Sequence, residues 1–375
     1  MDNVSAGDDA SAKMRRPMTA SNGGSMPTQT STITPPDEQV RAVALERLDG
    51  LAKPLGALGR LEEVGAWLAA CQGVCPPEPV ERVRAVVLAG DHGVTRAGVS
   101  ASPSEVTAAM VHAFVAGVAG VSVLARQHGA TVRVLDIGVD ADLSSAPADV
   151  TAHKLTRSSG SIDVTDAISR DLAVRAIAVG AEIADAEVDA GAQLLVLGDM
   201  GIGNTTPSAA LIAASLGLDA AAVIGRGTGI DEAAHDRKLD VLARALARAC
   251  DDDRRIEDPV QRLAALGSAD LAVGTGFLVQ AARRGVPVLL DGVIACAEAL
   301  VAAGLAPGAE AWFLAGHRST EPAQAHALAA LGLEPLIDLG MRLGEGSGAM
   351  TAVPLVQSAA LLVREMALLS DLVGP

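Results

Sequence analysis

Tyrosine is absent from the 375 residues, and the remaining aromatics are three Phe and two Trp. Without a row of flat side chains, the chain lacks the usual platforms for stacking nucleic-acid bases. Positive charge is also short: 29 Lys and Arg stand against 45 Asp and Glu, for a net charge of −16 and a pI near 4.8. Such a chain repels phosphate backbones and anionic membranes at long range, so neither nucleic acid nor a membrane is expected as a partner. A small anion is different, because a local nest of backbone N–H groups overrides the mean field. No run of about 18 apolar residues passes without a charge or a Gly/Pro break, and the N-terminus lacks the apolar core of a signal peptide, which points to the cytoplasm. Four cysteines, Cys71, Cys75, Cys250 and Cys296, form neither a disulfide framework nor a C-x-x-C pair, so reduced structural thiols are expected. The seven histidines show no i, i+4 or carboxylate-linked spacing, so the expected metal and cofactor content is none.

What the chain does have is apolar residues, 50% of the total, and 39 glycines. Residues 1–37 are rich in Ser, Thr, Gly, Asp and Pro without apolar periodicity and read as a disordered tail. Residues 38–78 read as helical, with "VRAVALERLDGLAKP" closing at a proline and "GRLEEVGAWLAACQG" closing at a glycine. From residue 79 to 344 the texture changes to short β-branched runs, each followed by a Gly-rich turn and an Ala-rich helix. The runs are "VRAVVLAGDHG", "ATVRVLDIGVD", "AQLLVLGDMGIGNTT", a weaker "AAVIGRGTG", "VPVLLDGVIAC" and "AEAWFLAGHRS". Repeats of this kind specify an α/β fold, a parallel sheet covered by helices on both faces, with ligands at the C-terminal ends of the strands. Residues 345–375 carry a long apolar helix pattern interrupted by Pro354, which is expected to join the early helices in a small helical domain built from both chain ends.

Several turns could carry chemistry. In "LLVLGDMGIGNTTPSAA" a buried strand leads to Gly198, Gly201 and Gly203, then Asn204, Thr205 and Thr206 before a helix, a set suited either to an anion or to ordinary turn and cap chemistry. It matches neither a dinucleotide fingerprint, since the third glycine is missing, nor a P-loop, since no Gly-Lys-Ser/Thr follows. A second glycine turn, Gly225, Gly227, Thr228 and Gly229, precedes a helix carrying Lys238, which is either a phosphate-binding cation or a solvated lysine. Asp91 and His92 are a catalytic pair or a capped turn, and Ser102 before Pro103 is by default a turn residue. "VPVLLDGV" holds one acid, Asp291, where magnesium-dependent phosphoribosyl-diphosphate enzymes show two adjacent acids. Glu345, alone between glycines in "MRLGEGSGAM", is either a general base on a backbone that a ligand can approach closely or an exposed acid in a C-cap loop.

Taken in order, "KPLGALGRLEEV", "DHGV…GVSASP…VTA", "GDMGIGNTTPSAA", "PVLLDGV", "GHRSTEP" and "MRLGEGSGA" resemble the nicotinate-nucleotide:dimethylbenzimidazole phosphoribosyltransferase family over roughly residues 40–370. The resemblance implies a parallel α/β fold with a small helical domain, usually dimeric. It also implies transfer of the 5-phosphoribosyl group from nicotinate mononucleotide to 5,6-dimethylbenzimidazole, in cobalamin biosynthesis. Carried across by motif, Glu345 is the base that takes the benzimidazole proton. Gly201, Gly203, Asn204, Thr205, Gly227, Thr228, Lys238 and Ser319 match phosphate and ribose contacts, and Ser102 and Leu343 match the base pocket. Two positions in that pocket depart from the family: Asp199 stands where Glu is frequent and reaches one methylene less far, and Met110 stands where Gln is frequent and offers no amide hydrogen bond, so a looser choice of base is expected. With no second carboxylate to act as a nucleophile, a direct displacement inverts the anomeric carbon, from β to α. The competing readings are the same fold with another acceptor, such as adenine, benzimidazole or a phenol, and a nucleotide-binding module without catalysis.

Overall fold

The structure is a computed structural model that describes residues 32–251, 253 and 255–373. Five strands, β1 (Val83–Gly90), β2 (Thr131–Gly138), β3 (Leu194–Met200), β4 (Val288–Leu290) and β5 (Phe313–Ala315), form one sheet in the order β2-β1-β3-β4-β5. Every pairing is parallel, for example Leu197 of β3 between Val86 of β1 and Leu290 of β4. The strands are mostly apolar because both faces are covered, with the start of the edge strand β2 left exposed. Alternate side chains therefore enter different cores: Leu195 and Leu197 pack in one apolar cluster, Leu194 and Val196 in the other.

On the side carrying α3 (Glu105–Val115), α4 (Gly120–Gln127) and the long helix Ser347–Glu365, Val111, Val121 and Val353 meet β1 and β3. The opposite side is covered by α5 (Arg170–Asp189), α6 (Thr205–Leu216), α7 (Glu232–Ala249), α8 (Ala269–Arg283), α9 (Val293–Leu305) and α10 (Pro322–Leu331). The first two helices and the last long one are held together too. Ala44 and Leu48 of α1 (Glu38–Asp49) and Ala66 and Ala69 of α2 (Arg60–Gln72) form a third cluster with Val363 of α11 (Ser347–Glu365).

The structure departs from the sequence reading in several places. "AAVIGRGTG" is no strand: Ala220–Val223 is a short helical turn and the rest is loop, since three alanines leave too few β-branched residues for a buried run. The first helix ends at Gly50, before Pro54. The expected tail is shorter at its inner edge. Ile33 is buried and its N–H donates to the Pro307 carbonyl at 2.8 Å, Trp312 Nε1 donates to the Thr34 carbonyl at 3.0 Å, and Asp37 caps α1. Residues 1–31 of that expectation lie outside the described residues. Residues Glu105–Gln127 are long and apolar enough to cross a membrane by length and composition, but they fold as two helices, α3 and α4, broken over residues 116–119 and packed on β2.

Candidate active site

In a parallel sheet of this order the chain reverses direction between β1 and β3, and the crevice beyond the C-terminal strand ends there is open to a ligand. A cavity of about 300 Å³ lies beside that point, lined from the end of β3 and the turns after β4 and β5 rather than from β1. Of the residues singled out in the sequence, Ser102, Met110, Asp199, Gly201, Asn204, Thr205, Gly227, Thr228, Ser319, Leu343 and Glu345 line it. Gly203 and Lys238 do not. Gly203 holds φ at +87° and lies against Thr95, so it shapes the turn from behind.

One end of the cavity is an anion cradle. Helix α6 begins at Thr205 with no side-chain cap, because Asn204 turns its amide away to donate to Asp199 Oδ1 at 2.7 Å. Among the described residues the Thr205 N–H is thus left to a ligand, with the positive end of the helix dipole behind it, while the Thr206 N–H donates to the Gly203 carbonyl and the Ser208 N–H to the Asn204 carbonyl, both at 3.1 Å. Lys238 is 1% exposed rather than solvated, and its Nζ donates to Thr205 Oγ1 at 2.8 Å and to the Gly225 carbonyl at 3.1 Å. An ammonium has only donors, so Thr205 Oγ1 must accept, leaving the hydroxyl hydrogen free to point into the cavity. Burial lowers the Lys238 pKa, and the neighbouring Glu321 carboxylate opposes that. Glu321 in turn accepts the Gly227 N–H at 2.7 Å and so ties the second glycine turn to the segment after β5, while Lys238 ties it to the first. The helix beyond that turn offers no free end, since Asp231 caps α7 by accepting from Ala234; the loop residues Gly227 and Thr228 face the cavity instead. Arg342 adds a cation here that the sequence reading missed, although it stands three residues before Glu345 in the same quoted motif.

The other end is apolar, walled by Val106 and Met110 of α3 together with Leu197, Ile202 and Leu343. Glu345 closes it. The residue is 4% exposed, held at φ +66°, and belongs to the loop that starts α11, so it is neither an exposed acid nor part of a C-cap. Burial pushes its pKa up to about 7; the Val121 N–H at the start of α4 pulls the other way, the Asp291 carboxylate adds to the rise, and the Gly120 N–H again opposes it. The loop is clamped from below. Asp291, at the end of β4, accepts the Gly346 N–H at 3.1 Å and the Ala349 N–H at 2.9 Å, one on each oxygen, with His317 Nε2 3.5 Å away. Asp291, the one acid of "VPVLLDGV", and His317 of "GHRSTEP" both line the cavity, and the sequence reading gave neither a role there.

Asp199 sits between the two ends. Burial, and then the nearby Asp270 carboxylate, raise its pKa well above the ordinary range. Asp91 and His92 lie outside the cavity lining, Asp91 accepting the Asp140 N–H at 2.8 Å and both being buried. The geometry offers a site for a phosphorylated, partly aromatic ligand, with one carboxylate that exchanges protons near neutrality at the apolar end.

Known proteins agree with that geometry. The phosphoribosyltransferase family profile matches residues 33–372. A nicotinate-nucleotide–dimethylbenzimidazole phosphoribosyltransferase of Mycolicibacterium paratuberculosis is 54% identical over 338 residues, 90% of this chain and 95% of its own length. Its counterpart in Mycobacterium marinum is 52% identical over 339 residues, covering 90% and 93%. The crystal structure of CobT from Thermus thermophilus superposes with a TM-score of 0.84 at 43% identity, over 89% of this chain and 98% of that one. With a parallel sheet, an uncapped helix end and a buried acid arranged in the crevice, the chain belongs to the nicotinate-nucleotide–dimethylbenzimidazole phosphoribosyltransferase family.

Proposed function

We infer that this chain transfers the 5-phosphoribosyl group of nicotinate mononucleotide to 5,6-dimethylbenzimidazole, releasing nicotinate and α-ribazole 5′-phosphate, with Glu345 as the base. The observation that carries the role of Glu345 is its burial at the apolar end of a cavity whose other end is an uncapped helix N-terminus. The phosphate rests on the N–H and hydroxyl of Thr205 at the start of α6 and against the loop at Gly227 and Thr228, with Arg342 as counter-charge. The leaving ring is a pyridinium, so breaking its C–N bond returns the electron pair to nitrogen and the ring departs neutral, with no acid needed. The incoming benzimidazole uses the lone pair of one nitrogen to attack the anomeric carbon from the opposite face. Its other nitrogen would be left carrying a proton and a positive charge. Glu345 accepts that proton as the new bond forms and later passes it to water. One displacement inverts the centre.

The test is direct: the purified chain is incubated with nicotinate mononucleotide and a panel of dimethylbenzimidazole, benzimidazole, adenine and phenol, and products are identified by mass. Dimethylbenzimidazole should be turned over fastest. No product with any acceptor would overturn the reading. The pH profile carries the sign of the base. Below pH about 7 Glu345 is protonated and cannot accept, so kcat should rise through about 7 and level off above it. A rate that falls over that interval would assign the residue to the acid role instead.

Asp291→Asn should act on the same profile. One amide oxygen cannot serve both the Gly346 and Ala349 N–H groups, and a buried donor left unpaired costs about 1–3 kcal/mol. The loop then holds Glu345 less firmly, and kcat should fall about tenfold. Removing the negative neighbour also eases ionisation of Glu345, so the midpoint of the profile should move to lower pH. A purely structural role would lower the rate without moving the midpoint.

This reading places the chain in the cytoplasm as a homodimer. Val115, Val118 and Val123, exposed along α3, α4 and the turn between them, supply apolar surface for a second copy to cover.

A further inference from the structure

Behind the cavity floor lies a second group of polar side chains that the proton transfer does not use. His92 follows β1, Asp199 lies near the end of β3, Asp270 is in the first turn of α8, and Glu298 is midway along α9. All four are 6% exposed or less. With the carboxylates ionised, both ring nitrogens of His92, Oδ2 of Asp199, Oδ2 of Asp270 and both carboxylate oxygens of Glu298 have no hydrogen-bond partner among the described residues, although Asp199 and Asp270 are close enough to share a proton. The charges that act on Asp199 and Glu298 are those of neighbouring acids; no Lys or Arg answers them. A folded core does not leave carboxylates buried and uncompensated without a reason.

Room has been made for these groups. A Cβ on Gly201 would lie 2.6 Å from His92 Nε2, one on Gly90 2.6 Å from Asp270 Oδ1, and one on Gly274 2.0 Å from Glu298 Oε1. Three glycines on three separate elements therefore give way to the polar side chains. The donor atoms also converge: one from each of His92, Asp199 and Asp270 lie within 4.8 Å of one another, and His92 Nε2 is 3.5 Å from Asp270 Oδ2. That separation is long for a hydrogen bond. It suits two ligands of one tetrahedral ion, whose bonds of about 2.0–2.1 Å put neighbouring donors roughly 3.3–3.4 Å apart.

We propose that His92, Asp199 and Asp270, with the buried Glu298 carboxylate nearby, bind one divalent transition-metal ion that ties the ends of β1 and β3 to α8 beneath the cavity. A neutral imidazole with two aspartates balances a doubly charged ion, and the mixed nitrogen and oxygen donors suit zinc, manganese, iron(II) or cobalt over magnesium or calcium. Asp199 lines the cavity, which gives the ion a way in. Its other oxygen accepts from Asn204, so the ion would also fix the residue that leaves α6 uncapped. The role is structural and independent of the reaction proposed above, so either can fail alone. No spacing motif announces the set, because its members come from four separate segments.

The test begins with the full chain produced in medium supplemented with zinc and manganese, desalted, and analysed for metals by mass spectrometry. One ion per chain is expected in the wild type, and roughly a tenth of that in Asp270→Asn and Glu298→Gln. Because those variants could unfold, two measurements use the wild type only. After chelator stripping, added zinc or manganese should raise the unfolding temperature by several degrees, and crystals should show an anomalous scattering peak among the four side chains. A chain without metal whose unfolding temperature ignores added ions would overturn the proposal and leave the acids sharing protons. So would metal that survives Asp270→Asn but is lost in His235→Ala, since Glu232, His235 and Asp236 form an exposed cluster of their own.

Discussion

Replacing Glu345 by Gln is expected to lower kcat by about 10²-fold or more, the range usual for a positioned general base, while nicotinate mononucleotide still binds. Gln fills the same space and keeps an oxygen at the tip, but its amide does not take a proton at neutral pH. The phosphate end is untouched, because among the described residues the hydrogen bonds of Thr205 and Gly227 run to Lys238 and Glu321 and not to residue 345. Loss of fold would not explain the result. The Glu345 pKa is raised on folding, so its ionisation favours the unfolded chain: the stability it contributes is full below about pH 4.5 and is lost as pH rises through about 7. Gln carries no such penalty, and the variant should unfold at an equal or higher temperature at pH 8. Single-turnover mass analysis, a calorimetric titration with the mononucleotide and a thermal melt together give the three readouts. Unchanged turnover would remove the base assignment and favour a nucleotide-binding module.

Much of the fold was written locally. The β1 and β3 runs are largely apolar because they lie inside the sheet with both faces covered, the edge strand β2 is so only over its second half, and the turns fall at the C-terminal ends of the strands, where ligands bind. Short β4 and β5 were legible through flanking glycines rather than through length. Residues 220–223 misled because Val223 and Ile224 imitate the start of a strand, while Ala220–Ala222 favour a helical turn. In the site, the glycine turns and the isolated Glu345 were visible as chain-local features. What was not visible depends on distance in space. Lys238 looks like a surface lysine in a polar helix, yet it is buried against Thr205, 33 positions away. Asp291 reads as a strand-end acid, and only the fold reveals that it grips the Glu345 loop 55 positions on.

Gly198 shows the same limit and yields the sharpest steric test. Its neighbours Gly201 and Gly203 belong to the turn, and the sequence reads all three as turn chemistry, but Gly198 is paired within β3 opposite Val87. Glycine weakens a central strand, so a reason is needed for it there. The reason is the Glu345 backbone, which lies directly on the strand. A Cβ at residue 198 would stand 2.3 Å from the Glu345 carbonyl oxygen, 2.5 Å from its carbon and 2.7 Å from the Gly346 nitrogen. Non-bonded carbon and oxygen rest at roughly 3.3–3.6 Å, so in Gly198→Ala the loop must retreat by about 1 Å. These are backbone atoms, pinned by Asp291 and unable to swing aside as a side chain would. A displacement of that size at a reacting group costs about 10²-fold, and kcat should fall at least that far. The overpacking should also cost about 1–3 kcal/mol of stability. Mononucleotide binding should stay within about threefold, because the anion cradle on α6 is built from other atoms. Steady-state kinetics with a thermal melt and a binding titration separate these effects. An alanine variant with wild-type kcat would mean that the Glu345 loop does not rest on β3, and the carboxylate would then not stand where the incoming base can reach it.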